Sequence, residues 1–453
     1  GEGAAAEVHS MSHVVLIAGT GAEHLTDEVG GVLGVPPVAI SSDYTDGETT
    51  FRIDSNVRMR DTYVVVCRGE DVNAHLIELT LLISALRRAS AERITAVLPY
   101  YAYARQARKH TSRVPVSAAD FASLLEEMGV DGVITLDPHK PEVSGFFSPR
   151  CYFASGSCMP SAARYLWAQR RLRRAVVVAP HASGVRLAQS FLDSLIELHE
   201  AHGRQPSDRP GLAMLLPHKT YVAGEGSTRI QRRMLELIGS VEGCDAIIID
   251  DILDTGKTIS RSTEVLLQHG ASRVFAVATH GIFSGTAIND IANSELTTAV
   301  VTNSIPFHIP RDHPVRKKLV VLSVAPVLAH EIAKLAEVPP PALDPMAATF
   351  PMAGAMFTGP ERSGRSRLRG GQTTVVSPIR ERVQAMSMSD YDREIGFAGG
   401  GNISDEAEMG SEGSDEEAAY NAELDAWMLE QRQHMKSEAF VQATSDISTT
   451  SYG

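Results

Sequence analysis

The stretch Ile247–Ser260, IIIDDILDTGKTIS, decides how this chain is read. An apolar β-branched run ends in two adjacent carboxylates, Asp250 and Asp251. A short loop of Asp254, Thr255, Gly256, Lys257 and Thr258 follows, and then helix-favouring sequence. The TGKT segment is not half of a Walker A loop, which needs a glycine five residues before its Gly-Lys pair; Asp251 stands there. A strand ending in such a loop gathers backbone N–H groups and hydroxyls at the start of a helix, which is a phosphate-binding arrangement. The two carboxylates would repel a phosphate, so they serve something else: ribose hydroxyls that donate to them, or a hydrated Mg2+. A phosphorylated sugar meets both demands.

Working outward, VVLIAG, YVVVC, ITAVLPY, DGVITLD, AVVVAP, AIIID, VFAVATH and AVVTNS are continuous apolar runs rather than alternating ones. That is the pattern of parallel strands covered on both faces, and helical stretches lie between them. The class is α/β. Two stretches repeat one plan of strand, loop, helix, an Ala-Ser-x-Arg-like turn and strand: Tyr63–Tyr100 and Ala246–His280. The repeat predicts two homologous halves, 13–155 and 156–335, after a flexible 1–12. A single site is expected between them, because only the second copy carries the acidic loop. Beyond residue 335 the texture turns to Pro, Gly, Met and Arg without periodicity, then to the acidic run SDEAEMGSEGSDEE. This predicts a largely disordered tail over 336–453. One amphipathic helix is expected near 419–440, with Leu424, Trp427, Met428 and Met435 on a stripe.

A net charge of -13 over 453 residues argues against a nucleic-acid coat. Cys67, Cys151, Cys158 and Cys244 show no Cys-x-x-Cys spacing, which fits reduced thiols in a cytoplasmic protein. No apolar run is long enough to span a membrane, and GEGAAAEVHSMSH lacks the basic start and apolar core of a secretory signal.

DDILDTGKT resembles the ribose-phosphate loop of the type I phosphoribosyltransferase fold. YTDGET at Tyr44–Thr49, the RQARK loop at Arg105, LDPHKPEVSGFF, VFAVATHGIFSGTA and VLSVAPVLAHEI resemble further segments of one family, the ribose-phosphate diphosphokinases. The similarity spans about residues 13–335. It implies two tandem type I phosphoribosyltransferase-like domains with parallel sheets, and transfer of a diphosphoryl group from ATP to ribose 5-phosphate with Mg2+. By the same resemblance the 5-phosphate is expected in Asp254–Thr258 and the ribose at Asp250 and Asp251. ATP is expected at Tyr44, Asp46, Glu48, Arg105 and Gln106, and Mg2+ at His139. A homo-oligomer from dimer to hexamer is implied.

The chain also departs from the family pattern. APHASGVRLA carries His181 where an acid is expected to bind Mg2+ beside His139, and imidazole is a weak partner for that ion. LAMLLPHKT lacks the basic cluster that opens the family's catalytic loop, which leaves Lys219 and Arg229 as candidate catalytic cations. Such losses, with an appended tail, also fit a weakly active regulatory subunit in a mixed oligomer. Lys257 in TGKT is the one feature that favours an ordinary phosphoribosyltransferase.

Overall fold

Strands buried along their whole length, such as Asp61–Val65, Gly132–Leu136, Ala175–Ala179 and Thr298–Thr302, need cover on both faces. Two parallel sheets flanked by helices supply it. The computed structural model describes residues 11–45, 48–69, 71–109, 111–170, 172–223 and 229–339. The low-complexity segment and the helix expected at 419–440 lie outside the described residues.

The first half runs β1 (Val14–Ala18), α1 (Glu23–Leu33), β2 (Ile40–Thr45), β3 (Glu48–Ile53), β4 (Asp61–Val65), α2 (Val72–Arg88), β5 (Arg93–Leu98), α3 (Ser117–Met128), β6 (Gly132–Leu136) and β7 (Tyr152–Gly156). Then come α4 (Met159–Arg170), β8 (Ala175–Ala179), α5 (Val185–Ala201), β9 (Gly211–Ala223), β10 (Arg229–Ile238), β11 (Asp245–Leu253) and α6 (Lys257–Gln268). The chain closes with β12 (Arg273–Gly281), α7 (Ala287–Asn293), β13 (Thr298–Thr302), β14 (Leu319–Leu322) and α8 (Ala325–Leu335). The first sheet is parallel in the order β1-β4-β5-β6-β7. The second is β10-β9-β8-β11-β12-β13-β14, parallel except for β10. In both halves an antiparallel pair follows the first strand and helix. It stands apart as β2–β3 in one and extends the sheet as β9–β10 in the other.

The duplication reaches single side chains. The arginine of each Ala-Ser-x-Arg-like turn opens a strand and forks onto an aspartate that opens the strand beside it. Arg93 clamps Asp61, with Nε to Oδ1 at 3.0 Å, and Arg273 clamps Asp245, with Nε–Oδ1 2.9 Å and Nη2–Oδ2 2.6 Å. Both aspartates are buried, so the bidentate arginine is what makes their burial tolerable.

Helices α4 and α8 each cover the sheet that they do not directly follow. Helix α4, which follows β7, buries Met159, Ala163 and Leu166 with Val177, Ile247 and Ile249 of the second sheet. Helix α8, which follows β14, buries Val327, Leu328 and Ile332 with Leu16, Tyr63 and Ile134 of the first.

A buried polar joint ties the two sheets together at their carboxyl ends. Asp137 Oδ2 accepts from Thr279 Oγ1 at 2.6 Å and from the Cys158 N–H at 2.9 Å. His280 Nε2 lies 3.0 Å from the Leu136 carbonyl, so it carries the proton and donates. Nδ1, 2.8 Å from Ser304 Oγ, then accepts. Burial pushes the His280 pKa down.

Two outcomes follow from these contacts. Arg273→Met strands Asp245 in the core and should lower stability by about 3 kcal/mol in urea unfolding, with Asp245→Asn in the same chain recovering part of it. His280 binds its proton less readily folded than unfolded, so its contribution is full above about pH 6.5 and shrinks as the unfolded state protonates below that. The urea midpoint should therefore fall from about pH 7 to about pH 5, and His280→Asn should remove up to about 1.4 kcal/mol per pH unit of that slope.

Candidate functional site

Parallel α/β sheets leave their ligand sites at the carboxyl ends of the strands, and here the two sheets bring those ends face to face. Strand β11 carries Asp250 and Asp251 close to its carboxyl end, with the Asp251 N–H donating to Asp250 Oδ1 at 3.0 Å. The loop turns at Gly256, whose φ of +73° is left-handed, and a Cβ there would meet the Ala287 carbonyl oxygen at 3.3 Å. Glycine is thus required by conformation and by space. Helix α6 starts at the next residue, so its first free N–H groups open into the loop.

Three basic side chains meet the three acids. His139, just beyond β6, places Nδ1 2.8 Å from Asp251 Oδ2. His181, between β8 and α5, places Nε2 3.5 Å from Asp250 Oδ1, and Ser183 Oγ lies 2.9 Å from its Nδ1. Arg105 comes from a short turn after β5, and its Nη1 donates to Asp254 Oδ2 at 2.7 Å. Two of these three bases therefore cross over from the first half. A cavity of about 250 Å³ is lined by Arg105, His139, His181, Asp250, Asp251 and the residues Asp254–Gly256 and Thr258. Behind His139 and Asp251 a larger cavity of about 450 Å³ opens, with Ser144, Ser157, Ser183 and Arg186 in its wall. The acidic loop lines the smaller one, which makes it the candidate site.

The charges are unequal. Burial pushes Asp251 up, but the hydrogen bond and charge of His139 override it and hold the carboxyl at about 2. Asp250 moves the other way: burial raises its pKa, the Asp251 charge adds to this, and the pull of His181 is too weak to reverse it. The Asp250 hydrogen bond raises the pKa of His181. Burial pushes Asp254 up, but hydrogen bonding to Ser284 and Arg105 leaves it below the usual range.

No three His, Cys, Asp or Glu side chains converge on a metal seat among the described residues. Mg2+ needs no such cage, since it keeps several waters and binds one or two carboxylates together with substrate phosphates. Asp251 with His139 fits that role. Asp251 and His139, whose Nδ1 lies against that carboxylate, are the residues that would hold the ion.

Other expected residues are not brought to this cavity. Gln106 accepts from Ser117 Oγ at 2.8 Å, and Lys257 is exposed at the head of α6, outside the cavity wall. Glu48 opens β3, exposed, and Tyr44 lies in β2. Asp46 and the Tyr44 side chain lie outside the described residues. Lys219 and Arg229 fall on the β9–β10 ribbon, where Lys219 pairs with Arg233 and Arg229 with Ala223. The side chains of Lys219 and Arg229 are likewise outside the described set. Sequence reading missed Ser183 and the roles of Asp137, Thr279 and His280. Nothing in a linear motif shows that the segments carrying Asp137, Thr279 and His280 touch.

Residues 14–129 match the family described as the N-terminal domain of ribose phosphate pyrophosphokinase, and residues 171–337 match the phosphoribosyl synthetase-associated domain. A ribose-phosphate pyrophosphokinase of Aquifex aeolicus is 33% identical over 328 residues, 72% of this chain and 97% of that protein. That of Oceanobacillus iheyensis is 37% identical over 317 residues, 70% of this chain and 90% of that protein. This chain belongs to the ribose-phosphate pyrophosphokinase family. A crystal structure of phosphoribosylpyrophosphate synthetase from Mycobacterium smegmatis superposes with a TM-score of 0.61 at 32% identity, over 72% of this chain and 99% of that one. The pyrophosphokinase similarity thus covers the two-sheet unit and leaves the tail aside.

Because the Asp251 carboxyl depends on His139, His139→Ala should let burial dominate and lift it above the ordinary carboxylate range of about 3.9. Carboxyl-carbon NMR titration of the two proteins reads that shift.

Proposed function

We propose that this chain transfers the diphosphoryl group of ATP to the C1 hydroxyl of ribose 5-phosphate, giving phosphoribosyl diphosphate and AMP for nucleotide synthesis. The observation that carries the reading is one cavity holding both a carboxylate pair and a phosphate-binding helix start, in a chain of this family. The 5-phosphate binds the N–H groups and hydroxyls of Thr255–Thr258. Ribose hydroxyls donate to Asp250 and Asp251. With the phosphate seated at α6, the sugar lies along β11 and its C1 hydroxyl is held towards the first half.

ATP approaches from that half. Arg105 exchanges Asp254 for a phosphate of the nucleotide, where its fork can bind two oxygens. Gln106 and the hairpin residues Tyr44, Asp46 and Glu48 take the base and its ribose, completed by a neighbouring subunit in a dimer-based assembly. His139 and Asp251 would hold Mg2+, which would supply neutralisation of charge on the transferred group. What the protein contributes is alignment of a hydroxyl with the β-phosphorus and cationic compensation, the main needs of phosphoryl transfer. Lys219 and Arg229 are the candidates for the cation that completes it. We assign 13–155 to the nucleotide side and 156–335 to the sugar side, in a cytosolic protein; no helix long and apolar enough to cross a membrane occurs among the described residues.

AMP release from ATP, ribose 5-phosphate and Mg2+ tests the reading. Asp250→Ala with Asp251→Ala should lower kcat/KM by about three orders of magnitude while the fold is retained. A double variant as fast as the wild type would remove the carboxylate pair from the reaction.

A further inference from the structure

Both ring nitrogens of His181 are engaged. Nε2 faces Asp250 Oδ1 at 3.5 Å, and a carboxylate can only accept, so Nε2 bears the proton. Nδ1 lies 2.9 Å from Ser183 Oγ and is hydrogen-bonded to that hydroxyl, whichever of the two carries the proton. A ring so arranged keeps no lone pair for a cation. His139 differs: only Nδ1 is bonded to a carboxylate, which leaves a ligating nitrogen. The backbone holds the His181 arrangement in place. His181 is extended, with φ −164° and ψ 163°, and its carbonyl accepts from the Gly184 N–H at 3.0 Å as the chain turns into α5.

Adjacent carboxylates repel each other, and a second cation would be the usual remedy. Here each carboxylate has its own imidazole instead, Asp251 with His139 and Asp250 with His181. Asp250 is 8% exposed, so its orientation depends on the few partners it has.

Resting on the assignment of this cavity to ribose 5-phosphate, we propose that His181 is a positioning residue rather than a metal ligand. It holds Asp250 as the acceptor of a ribose hydroxyl, with Ser183 fixing its ring, so that ribose 5-phosphate binds this chain without any divalent ion. Only the ion that accompanies ATP is then required.

Calorimetric titration of ribose 5-phosphate into the full chain, in EDTA and in Mg2+, is the direct test. The wild type should bind with affinities within about twofold of each other in the two buffers. His181→Leu should weaken binding about tenfold, and His181→Asn, whose amide can still donate to Asp250, should recover most of that loss. Ser183→Ala leaves the Asp250 contact in place but loosens the ring, and should weaken binding about threefold. His181→Asp should bind poorly in EDTA and regain affinity on addition of Mg2+. In turnover the His181 variants should raise KM for ribose 5-phosphate more than they lower kcat.

Binding by the wild type that appears only with Mg2+, or an unchanged affinity in folded His181→Leu, overturns the inference and leaves the site assignment standing. Absence of ribose 5-phosphate binding in both buffers overturns the site assignment itself, and the inference with it.

Discussion

The hydrogen bond from Thr279 to Asp137 sets the geometry on which the site depends. Asp137 directly follows β6, two residues before His139, and Thr279 lies on β12, the strand beside the one that carries Asp250 and Asp251. One 2.6 Å bond between fully or nearly buried groups therefore fixes the distance between a histidine of the first half and a carboxylate of the second. His280 adds a second tie, donating to the Leu136 carbonyl from the same strand. Polar groups buried at a joint must all be satisfied, and that demand restricts the joint to one arrangement. Asp137 accepts it at the cost of a left-handed backbone, φ +34°. A purely apolar contact could slide; this one cannot.

The charges at the cavity follow a single scheme. Asp250, Asp251 and Asp254 come from one strand and its loop, while their partners His181, His139 and Arg105 come from the ends of three other segments. Without those partners three acids in a row would oppose both the phosphate of a sugar and the phosphates of a nucleotide. With them, the acids remain able to accept hydroxyl donors, and the arginine is already aimed at the phosphate loop. The site is assembled by topology, since no local stretch contains both members of any pair.

Much of this was legible in the chain itself. The eight continuous apolar runs became parallel strands because a run without polar positions has no solvent face to offer. IIIDDILDTGKTIS became strand, loop and helix start because its glycine, acids and threonines have few other uses together. The repeated plan also held, down to the arginines of the Ala-Ser-x-Arg-like turns. What could not be read was which parts touch. Thr279 and Asp137 are 142 positions apart, and neither carries a pattern that names the other. The partnership of His181 with Ser183 hides in plain sequence, since a histidine followed two residues later by serine is unremarkable until the backbone turns. The placement of α4 and α8 is likewise invisible to periodicity. An apolar helical stripe states that it must be covered, not by which sheet.

The placement of α8 has a consequence for the connectivity of the chain. Because α8 returns to the first sheet, Val338 near the end of the described chain and Met11 at its start pack into the same core. The stretch from Met11 to Val338 thus starts and finishes in one core, and that core is sealed only when the whole of both sheets lies between its first and last residues. The first half, 13–155, cannot be cut out as an independent piece, because α8, the helix that seals its sheet, lies in 156–335. In this protein the unit that folds is the pair, and the two halves are its parts only in sequence.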